Sequence, residues 1–210
     1  MTEILHPIVI IGCGPGGPEQ VTPLARHEVA RAEVLIGAPR LFALFPYSVA
    51  ERIPVTADIG GVLDLIADIR RTRRVGVLTT GDPGLMSLAA PVIRRFGPGQ
   101  CRIIPGISAL QVACARLGIG WQDMAFIDAH GADPEISPSD LKGKPNIAVF
   151  AAGTSDWVRQ ALVTLGHEYR SYLCQDLTLQ GESITLIKDG HLPEKISSLS
   201  ILIFFKEDRL

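Results

Sequence analysis

Short apolar segments alternate with helical patterns over the first half of the chain, and this alternation is the strongest constraint on the fold. The apolar segments are 8–11 (IVII), 34–37 (VLIG), 75–78 (VGVL) and 102–104 (RII). Runs of this length bounded by turn residues are typical of strands that are buried on both faces of a sheet. Strands that alternate with helices predict an α/β fold with a parallel sheet and right-handed crossovers.

The helical segments between these strands carry recognisable start signals and apolar faces. Thr22 is predicted to cap a helix that begins with Pro23, because proline suits the first helical position. Val62, Leu65, Ile66 and Ile69 fall on one helical face. Further helices are predicted at 87–96, where Pro91 delays the start, and after Ser108, a predicted N-cap.

The second half of the chain has a different pattern, and the change follows a glycine-rich hinge at 117–120 (LGIG). One helix is predicted at 156–165, with Ser155 as its cap. We therefore expect an N-terminal α/β domain at 1–117 and a C-terminal, mixed and largely antiparallel α+β domain at 121–210. Strands are predicted in this half at 125–128, 147–151, 169–174, 183–187 and 199–205.

Composition excludes several classes of function. The net charge of −2 argues against a nucleic-acid-binding or membrane-surface protein, and the 47% hydrophobic content predicts a sizeable core. The cysteines lack the spacing of zinc ligands and are expected to be free, buried thiols in a reducing compartment. No apolar leader or membrane-length run is visible, so we expect a soluble cytoplasmic protein without a metal. The four cysteines are Cys13, Cys101, Cys114 and Cys174.

The loop after the strand at 75–78 is the first candidate for a ligand site. It reads TTGDPG, and its glycines allow a close approach of the backbone to a ligand. Asp82 lies between Gly81 and Gly84 and is held by Pro83. In open α/β sheets, ligands bind beyond the carboxyl ends of the strands. The alternative interpretation is an ordinary surface turn.

A second glycine loop follows the first strand. Gly12, Gly14 and Gly17 match the dinucleotide fingerprint G-x-G-x-x-G. However, Pro15 removes a backbone N–H from the loop that would bind a pyrophosphate. No acidic residue follows the second strand to bind a ribose diol. The loop is therefore interpreted as a wall for a ligand that lacks phosphate.

A basic run lies in the 70–74 segment at the end of a predicted helix. It contains Arg70, Arg71, Arg73 and Arg74. Such a run suggests a phosphate-bearing partner, but it is also typical of a solvated helix C-terminus, where cations suit the helix dipole. We favour the solvated helix end.

Three strand-end loops taken together resemble the tetrapyrrole methylases, which methylate corrin and sirohaem precursors with S-adenosylmethionine. The loops are GCGPGGPE at 12–19, TTGDPGLMS at 79–87 and IIPGISALQ at 103–111. The similarity extends through 32–41, 117–123 and the pair His130-Gly131, and it covers essentially the whole chain. It implies a two-domain fold with the cofactor in the cleft between the domains, and a homodimer.

The resemblance also implies a function and a set of cofactor contacts. Within the family, it points to methylation of carbon 5 of a precorrin or cobalt-precorrin macrocycle in cobalamin biosynthesis, with S-adenosylmethionine as cofactor and a tetrapyrrole as substrate. The implied cofactor contacts are Pro15, Thr80, Gly81, Asp82, Leu85, Ser108, Ala109, Ala152 and Leu177.

Two residues are candidates for a role in catalysis, and others for substrate binding. Asp82 is expected to shape the site, and His130 to position the substrate or act as a general base, since histidine exchanges protons near neutral pH. The alternative for His130 is a structural residue that holds its loop. Arg40 and Arg116 are candidates for binding substrate carboxylates, or exposed helix ends. Leu85, Met86 and Ile107 form an apolar lining or ordinary core.

Other functions remain open from the residues alone. A methyltransferase of the same fold could act on another precorrin position, on uroporphyrinogen, on ribosomal RNA or on a modified protein histidine. A sequence pI near 6.2 does not favour the RNA substrate. A module that binds nucleotides or tetrapyrroles without turnover is the alternative from a different class.

Overall fold

A computed structural model describes residues 5–188 and 190–206 of the chain. The chain divides into two compact units, Met1–Ser108 and Ala109–Leu210. This division assigns the helix Ala109–Leu117 to the second unit, whereas the hinge predicted at 117–120 follows that helix. The domain boundary therefore stays a prediction.

The first unit contains one five-stranded parallel sheet with the strand order β3-β2-β4-β1-β5. This architecture confirms the α/β fold with a parallel sheet that the alternating pattern predicts. Its strands are β1 (Ile8–Gly12), β2 (Val34–Gly37), β3 (Glu51–Pro54), β4 (Val75–Thr79) and β5 (Cys101–Ile104). Its helices are α1 (Pro23–Arg31), α2 (Pro39–Phe42), α3 (Ile59–Ile69) and α4 (Ala89–Phe96), with short 3-10 helices at Pro18–Gln20 and Pro98–Gln100.

Strand β1 lies in the interior of this sheet and contributes to the core on both faces. Ile8 and Ile10 pack in a cluster with α3 and α4, while Ile11 packs in a cluster with α1. Helices therefore cover the two faces of the strand, as expected for a fully apolar run in a parallel sheet. The interior position of β1 brings the loops after β4 and β5 to either side of the loop after β1.

The predicted cap of α1 is confirmed, the helix predicted at 87–96 begins two residues later, and two small elements were not predicted. Thr22 accepts a hydrogen bond from the Ala25 amide at 3.1 Å and caps α1. Helix α4 begins at Ala89, two residues before Pro91, where the missing N–H costs no helical bond. Sequence patterns did not predict β3 and α2, because β3 is an exposed edge strand with charged residues and α2 has only one turn.

The basic run after α3 is mostly engaged within the first unit. Arg70 is buried, donates to Gln100 Oε1 at 2.5 Å and lies over the Phe96 ring, so the prediction of a solvated residue is wrong there. Arg73 pairs with Glu51. The Arg74 guanidinium donates to the Arg31 carbonyl, and its backbone amide donates to Glu33, whose pKa is lowered chiefly by that bond. These arginines therefore attach the end of α3 to neighbouring segments.

The second unit contains a mixed five-stranded sheet with the order β6-β7-β10-β8-β9. Strands β6 and β7 are parallel, and the other three neighbouring pairs are antiparallel, as predicted. Its strands are β6 (Met124–Ala129), β7 (Asn146–Ala151), β8 (Arg170–Gln175), β9 (Ser183–Ile187) and β10 (Ser200–Phe205). Its helices are α5 (Ala109–Leu117) and α6 (Asp156–Leu165), with a 3-10 helix at Pro138–Leu141.

Helix α6 covers one face of this second sheet. Ser155 caps the helix by accepting from the Val158 amide at 3.3 Å, which confirms the predicted cap. Trp157, Val158 and Leu162 of the helix share a buried cluster with Phe204 of β10, the central strand of the sheet. The face is apolar because alternate residues of each strand point to the same side.

The cysteines are free thiols in the structure. Burial raises the pKa of Cys13 and Cys174 to about 12, and that of Cys114 to about 11. Cys101 is half-buried rather than buried, and burial raises its pKa as well. These thiols stay protonated near neutral pH. In the described ranges, no helix combines the length and apolar character needed to cross a membrane.

Phe204 offers a test of the core of the second unit. Its side chain is fully buried between β7, β8 and α6, so Phe204→Ala should lower the free energy of unfolding by about 3–5 kcal/mol. Urea unfolding followed by circular dichroism measures the loss. Val163→Ala on the exposed side of α6 is the control and should change stability by less than about 0.5 kcal/mol. Equal effects of the two substitutions would contradict this packing.

Candidate functional site

Three loops meet at the carboxyl edge of the first sheet. The loops follow β1, β4 and β5, which are adjacent strands in the order β4-β1-β5. Strand β1 pairs in parallel with both neighbours, so the three strands end at the same edge of the sheet. The three loops that sequence analysis selected therefore lie side by side.

Glycines allow these loops to approach closely. The Gly81 amide donates to the Gly14 carbonyl at 2.8 Å, and this bond joins the loops after β4 and β1. A Cβ atom on Gly12 would lie 2.6 Å from the Gly106 nitrogen and 2.8 Å from the Gly81 oxygen. A Cβ atom on Gly106 would collide with that same oxygen. Because the backbones crowd each other here, only glycine fits at position 12, at the end of β1, and at position 106, in the loop after β5.

Asp82 links the loops after β4 and β5 through its carboxylate. Its Oδ1 accepts from the Gly84 amide at 2.8 Å, and its Oδ2 accepts from the Gly106 amide at 3.1 Å. The side chain therefore holds its own turn and the neighbouring loop together. This is a positioning role that goes beyond a simple surface turn. Direct contact of Asp82 with a cofactor stays a prediction.

The same hydrogen bonds determine which loop amides can still bind a ligand at this edge. In a dinucleotide site, free loop amides bind the pyrophosphate. Here the amides of Gly81, Gly84 and Gly106 already donate to protein oxygens, and Pro15 has no amide hydrogen. These three amides are therefore not available to a phosphate.

An arginine reaches this edge from the loop after β2. Arg40 Nη2 donates to the hydroxyl of Thr80, with 2.7 Å between the two atoms. Arg40 belongs to the short helix α2 and is exposed. A guanidinium there can bind carboxylates with two hydrogen bonds. The structure therefore brings one of the two candidate substrate arginines next to a predicted cofactor residue.

The remaining predicted residues of the first unit differ in exposure. Pro15 and Ser108 are buried, Leu85 is half-buried and Met86 is exposed. Met86 has a φ of 45°, a conformation that costs energy for a residue other than glycine. Ile107 is half-buried, so it is not an ordinary core residue. Ser108 directly precedes α5, and its role as a helix cap stays a prediction.

A pocket in the second unit brings together two further predicted residues. It lies at the carboxyl ends of the parallel strands β6 and β7 and has a volume of about 250 Å³. His130 lines it from the loop after β6, and Ala152 lines it from the loop after β7. The position matches the general location of ligand sites beside parallel strands.

Asp128 orients His130 within this pocket. Its Oδ1 accepts from the His130 amide at 3.0 Å and lies 3.1 Å from Nδ1 of the ring. The ring also stacks on Phe150, with 6.1 Å between the ring centroids. Because an ionised carboxylate only accepts hydrogen bonds, Nδ1 carries a proton and Nε2 is the basic nitrogen of the neutral ring.

Leu177 and Arg116 belong to the second unit as well. Leu177 is buried in the turn between β8 and β9. Arg116 lies in the last turn of α5, and its Nε donates to Glu182 Oε1 at 2.9 Å. Arg116 is therefore engaged with a protein carboxylate, unlike Arg40.

Sequence reasoning missed three residues that hold these segments. Asp128 precedes His130 by two residues, and this Asp-x-His spacing was a local signal for the pair. Gly106 stands inside a loop that was selected, but its close approach to Gly12 depends on the strand order. Glu182 gave no sequence signal, because its partner Arg116 is 66 residues away.

Within residues 5–188 and 190–206, no cluster of three or more histidine, cysteine, aspartate or glutamate side chains could hold a metal ion. The absence of a metal from the protein's function stays a prediction.

Comparison with known proteins identifies the family. Residues 7–192 match the family model of the tetrapyrrole (corrin/porphyrin) methylases, and this range covers most of the chain. The chain belongs to the tetrapyrrole methylases. The resemblance carried by the three loops is thereby confirmed, and so is the two-part α/β and mixed α+β fold.

Two relatives lie near this methylase in sequence. The cobalt-precorrin-7 C(5)-methyltransferase of Salmonella typhimurium is 40% identical over 124 residues, which are 59% of this chain and 61% of that protein. The alignment thus spans about three fifths of the curated relative's length. The crystal structure of a cobalamin biosynthesis precorrin-6Y methylase from Archaeoglobus fulgidus is 27% identical and has a TM-score of 0.76, covering 96% of this chain and 99% of that one.

A third solved structure supports the fold and carries a ligand in its own description. It is a uroporphyrin-III C-methyl transferase from Thermus thermophilus complexed with S-adenosyl homocysteine, with a TM-score of 0.75 and 17% identity. It covers 95% of this methylase and 97% of the Thermus chain. At this identity the similarity shows the fold alone.

Asp82→Asn tests the bridge between the loops after β4 and β5. Asparagine retains one acceptor oxygen, but its NH2 group cannot accept from a backbone amide. We expect a loss of roughly 1–3 kcal/mol in the free energy of unfolding, because one half-buried amide loses its partner. We also expect at least about a tenfold weaker Kd for S-adenosylhomocysteine, since the loops lose their fixed geometry.

Urea unfolding and titration calorimetry measure these two effects. Asp64→Asn is the matched control, because Asp64 makes only an exposed ion pair with Arg95 at 3.3 Å. This control should leave both quantities nearly unchanged. Wild-type values for Asp82→Asn in both measurements would mean that its loop is only a turn.

Proposed function

We propose that the chain is an S-adenosylmethionine-dependent methyltransferase that acts on carbon 5 of a precorrin or cobalt-precorrin macrocycle in cobalamin biosynthesis. The observation that carries the proposal is the joined set of three loops at the carboxyl edge, which the hydrogen bond from Gly81 to Gly14 and the Asp82 carboxylate hold together. Family membership and the similarity to a C(5)-methyltransferase and a precorrin-6Y methylase support the same activity.

The proposed cofactor contacts follow the family resemblance. In the first unit they are Pro15, Thr80, Gly81, Asp82, Leu85 and Ser108, and in the second unit Ala109, Ala152 and Leu177. When bound, S-adenosylmethionine supplies an electrophilic methyl group on a sulfonium, which a nucleophilic ring carbon accepts. The rigid glycine loops would hold the cofactor in place. Alignment of the methyl group with the ring carbon lowers the activation barrier by several kcal/mol, and by about 7–11 kcal/mol at most.

His130 is proposed as the group that receives a proton. A ring carbon that gains a methyl group must lose a proton there or elsewhere on the macrocycle. Nε2 of His130 is the basic nitrogen, because Nδ1 faces the Asp128 carboxylate. That carboxylate would stabilise the imidazolium formed when Nε2 accepts the proton. The pocket lined by His130 leaves room for a substrate group beside the ring.

Arg40 is proposed to bind substrate carboxylates. The substrate class is a polycarboxylate macrocycle, so it requires cations near the site. Arg40 lies at the carboxyl edge beside Thr80, and its remaining guanidinium hydrogens can donate to a carboxylate. Arg116 is a weaker candidate for this role, because Glu182 already occupies it.

We further propose that the enzyme is a homodimer, as the family resemblance implies, and that it works in the reducing environment of the cytoplasm. The free cysteines agree with that environment. Multi-angle light scattering of the purified protein measures the mass directly. A mass near 22.6 kDa, that of one chain, would contradict the dimer.

Ligand binding tests the cofactor. Calorimetry should show binding of S-adenosylhomocysteine and no binding of NAD, because Pro15 removes an amide from the first glycine loop and no acidic residue follows β2 to bind a ribose diol. Incubation with methyl-labelled S-adenosylmethionine and a corrinoid extract should transfer one label to a corrinoid, detected by mass spectrometry. Tighter binding of NAD than of S-adenosylhomocysteine would overturn the cofactor proposal.

The same assay separates the alternative functions. Label found in ribosomal RNA or in protein histidine would assign another substrate to this fold. Binding of S-adenosylhomocysteine without transfer to any of these would indicate a binding module. Extracts with metal-free and cobalt-loaded substrates decide whether cobalt is already in the ring.

His130→Asn tests the general base. Asparagine retains polarity but cannot take up a proton near neutral pH. We expect kcat to fall by about 10²–10⁴-fold, with an unchanged Kd for S-adenosylhomocysteine. Turnover is followed from about pH 5.5 to 8.5, where histidine titrates and where the wild-type acidic limb should disappear in the variant.

The structural alternative for His130 predicts a different result. Asp128→Asn keeps an acceptor for the loop amide but removes the charge that stabilises an imidazolium, and it should lower kcat less than His130→Asn does. A loss of less than about threefold in His130→Asn, with the acidic limb retained, would leave His130 with only a role in holding its loop.

A further inference from the structure

The turn after β8 adopts an unusual backbone conformation. Asp176 has a φ of 48° and Thr178 a φ of 69°, with Leu177 between them. Aspartate tolerates this left-handed region, but threonine is β-branched and rarely adopts it. Conformations of this kind persist only where surrounding groups hold them. We call residues 176–178 the strained turn.

One carboxylate holds the strained turn from its far side. Glu182 Oε2 accepts from the Thr178 amide at 2.7 Å, at the residue with the larger positive φ. Glu182 Oε1 accepts from Arg116 Nε at 2.9 Å. The bond from Arg116 and the bond from Thr178 together lower the pKa of Glu182 below its ordinary value. Glu182 therefore connects the last turn of α5 to the strained turn.

The other end of the strained turn is held separately. The Ser197 hydroxyl donates to Asp176 Oδ1 at 2.6 Å, and the Asp176 amide donates to the Leu199 carbonyl at 3.1 Å. The Leu179 amide donates to the Asp176 carbonyl at 2.9 Å. These bonds lie within the sheet and its adjoining loop. The Arg116–Glu182 pair adds a connection to a helix, which fixes the turn from a different element.

We propose that Arg116 and Glu182 are positioning residues for the cofactor. Together they hold the strained turn in the conformation that presents Leu177, and this inference rests on the proposed function, in which Leu177 contacts S-adenosylmethionine. Leu177 as a whole is only 4% exposed, so the small surface that it can offer to a ligand depends on the conformation of the turn around it. Glu182 helps to hold that conformation by accepting from the Thr178 amide.

A purely structural role for the ion pair makes a different prediction. The pair is partly exposed, with 52% of the Arg116 side chain and 26% of the Glu182 side chain accessible. Exposed ion pairs of this kind contribute little to stability. Arg116→Met removes only the ion pair and should therefore shift the melting temperature little, whereas Glu182→Ala also removes the acceptor of the Thr178 amide and should lower it. A positioning role requires, in addition, a clear loss of cofactor affinity in Arg116→Met.

The experiment measures the Kd of S-adenosylhomocysteine by calorimetry and the melting temperature by scanning calorimetry on the full chain. The variants are Glu182→Ala, Glu182→Gln, Arg116→Met and Arg116→Lys. Glu182→Gln retains an acceptor for the Thr178 amide but loses the charge, and Arg116→Lys retains a charge that can reach Glu182. Glu168→Gln is the matched control, because it removes another exposed ion pair of the same unit, with Lys206 at 3.8 Å.

We expect Glu182→Ala and Arg116→Met to weaken binding of S-adenosylhomocysteine by about tenfold or more, as for loss of a hydrogen bond to a charged group. The conservative variants should recover part of the affinity, and Glu168→Gln should bind like the wild type. In turnover, KM for S-adenosylmethionine should rise more than kcat falls. Graded loss of affinity across the series, with a nearly constant melting temperature in Arg116→Met, supports the positioning role.

Three outcomes overturn the inference. Wild-type affinity in both Glu182→Ala and Arg116→Met, or in Glu182→Gln and Arg116→Lys together if the first two do not fold, shows that the pair does not position the cofactor. Unchanged cofactor affinity with a raised KM for the tetrapyrrole in Arg116→Met assigns Arg116 to the substrate instead. Failure of the wild type itself to bind S-adenosylhomocysteine removes the proposed function and this inference with it.

Discussion

The close contact of Gly12, Gly81 and Gly106 is the constraint on which the first unit's candidate site depends. These three backbones approach until no Cβ atom fits at Gly12 or Gly106, and Asp82 then bridges the loops after β4 and β5 with its two oxygens. The contact is possible only because β1 lies between β4 and β5 in a parallel sheet, so that the three loops leave at one edge. Fold and site are thus linked through strand order, since any other neighbour of β1 would separate the loops.

The same contact explains why a glycine-rich fingerprint does not indicate a dinucleotide here. In a pyrophosphate site, glycines leave amides free to face the ligand. In this chain the glycines serve contacts between loops, and the amides of Gly81, Gly84 and Gly106 are satisfied by protein oxygens. Two sequence signals indicated this difference: Pro15 removes an amide from the loop, and no acidic residue follows β2.

Local patterns predicted the parts of the fold that depend on local physics. The apolar runs gave β1, β2 and β4, the spacing of Val62, Ile66 and Ile69 gave α3, and Thr22 and Ser155 gave two helix caps. The exposed edge strand β3 has no apolar run, and it forms because β2 offers it a partner.

The site followed a similar division. Loop composition indicated where ligands bind, but the partner of Asp82 is 24 residues away and that of Arg116 is 66 residues away, so no local pattern could show them. The buried Arg70 was misjudged for the same reason, since Gln100 and Phe96 come from distant segments.

Backbone strain in the described part of the chain is confined to loops that the family resemblance assigns to the cofactor. The residues other than glycine with positive φ are Met86, after β4, and Asp176 and Thr178, after β8. Each such conformation costs of order 1–3 kcal/mol. It persists where surrounding hydrogen bonds hold the loop against the backbone preference of the residue. Around Met86, the Gly84 amide donates to Asp82, and the Ser87 hydroxyl donates to the Pro83 carbonyl at 2.6 Å. Glu182 and Ser197 hold the strained turn at 176–178. Loops fixed in this way lose little further conformational entropy when a ligand binds. The strain lowers the free energy of unfolding, but the fixed loops reduce the entropic cost of binding. That exchange favours a ligand whose reacting group must be aligned rather than merely held, which is the requirement of methyl transfer.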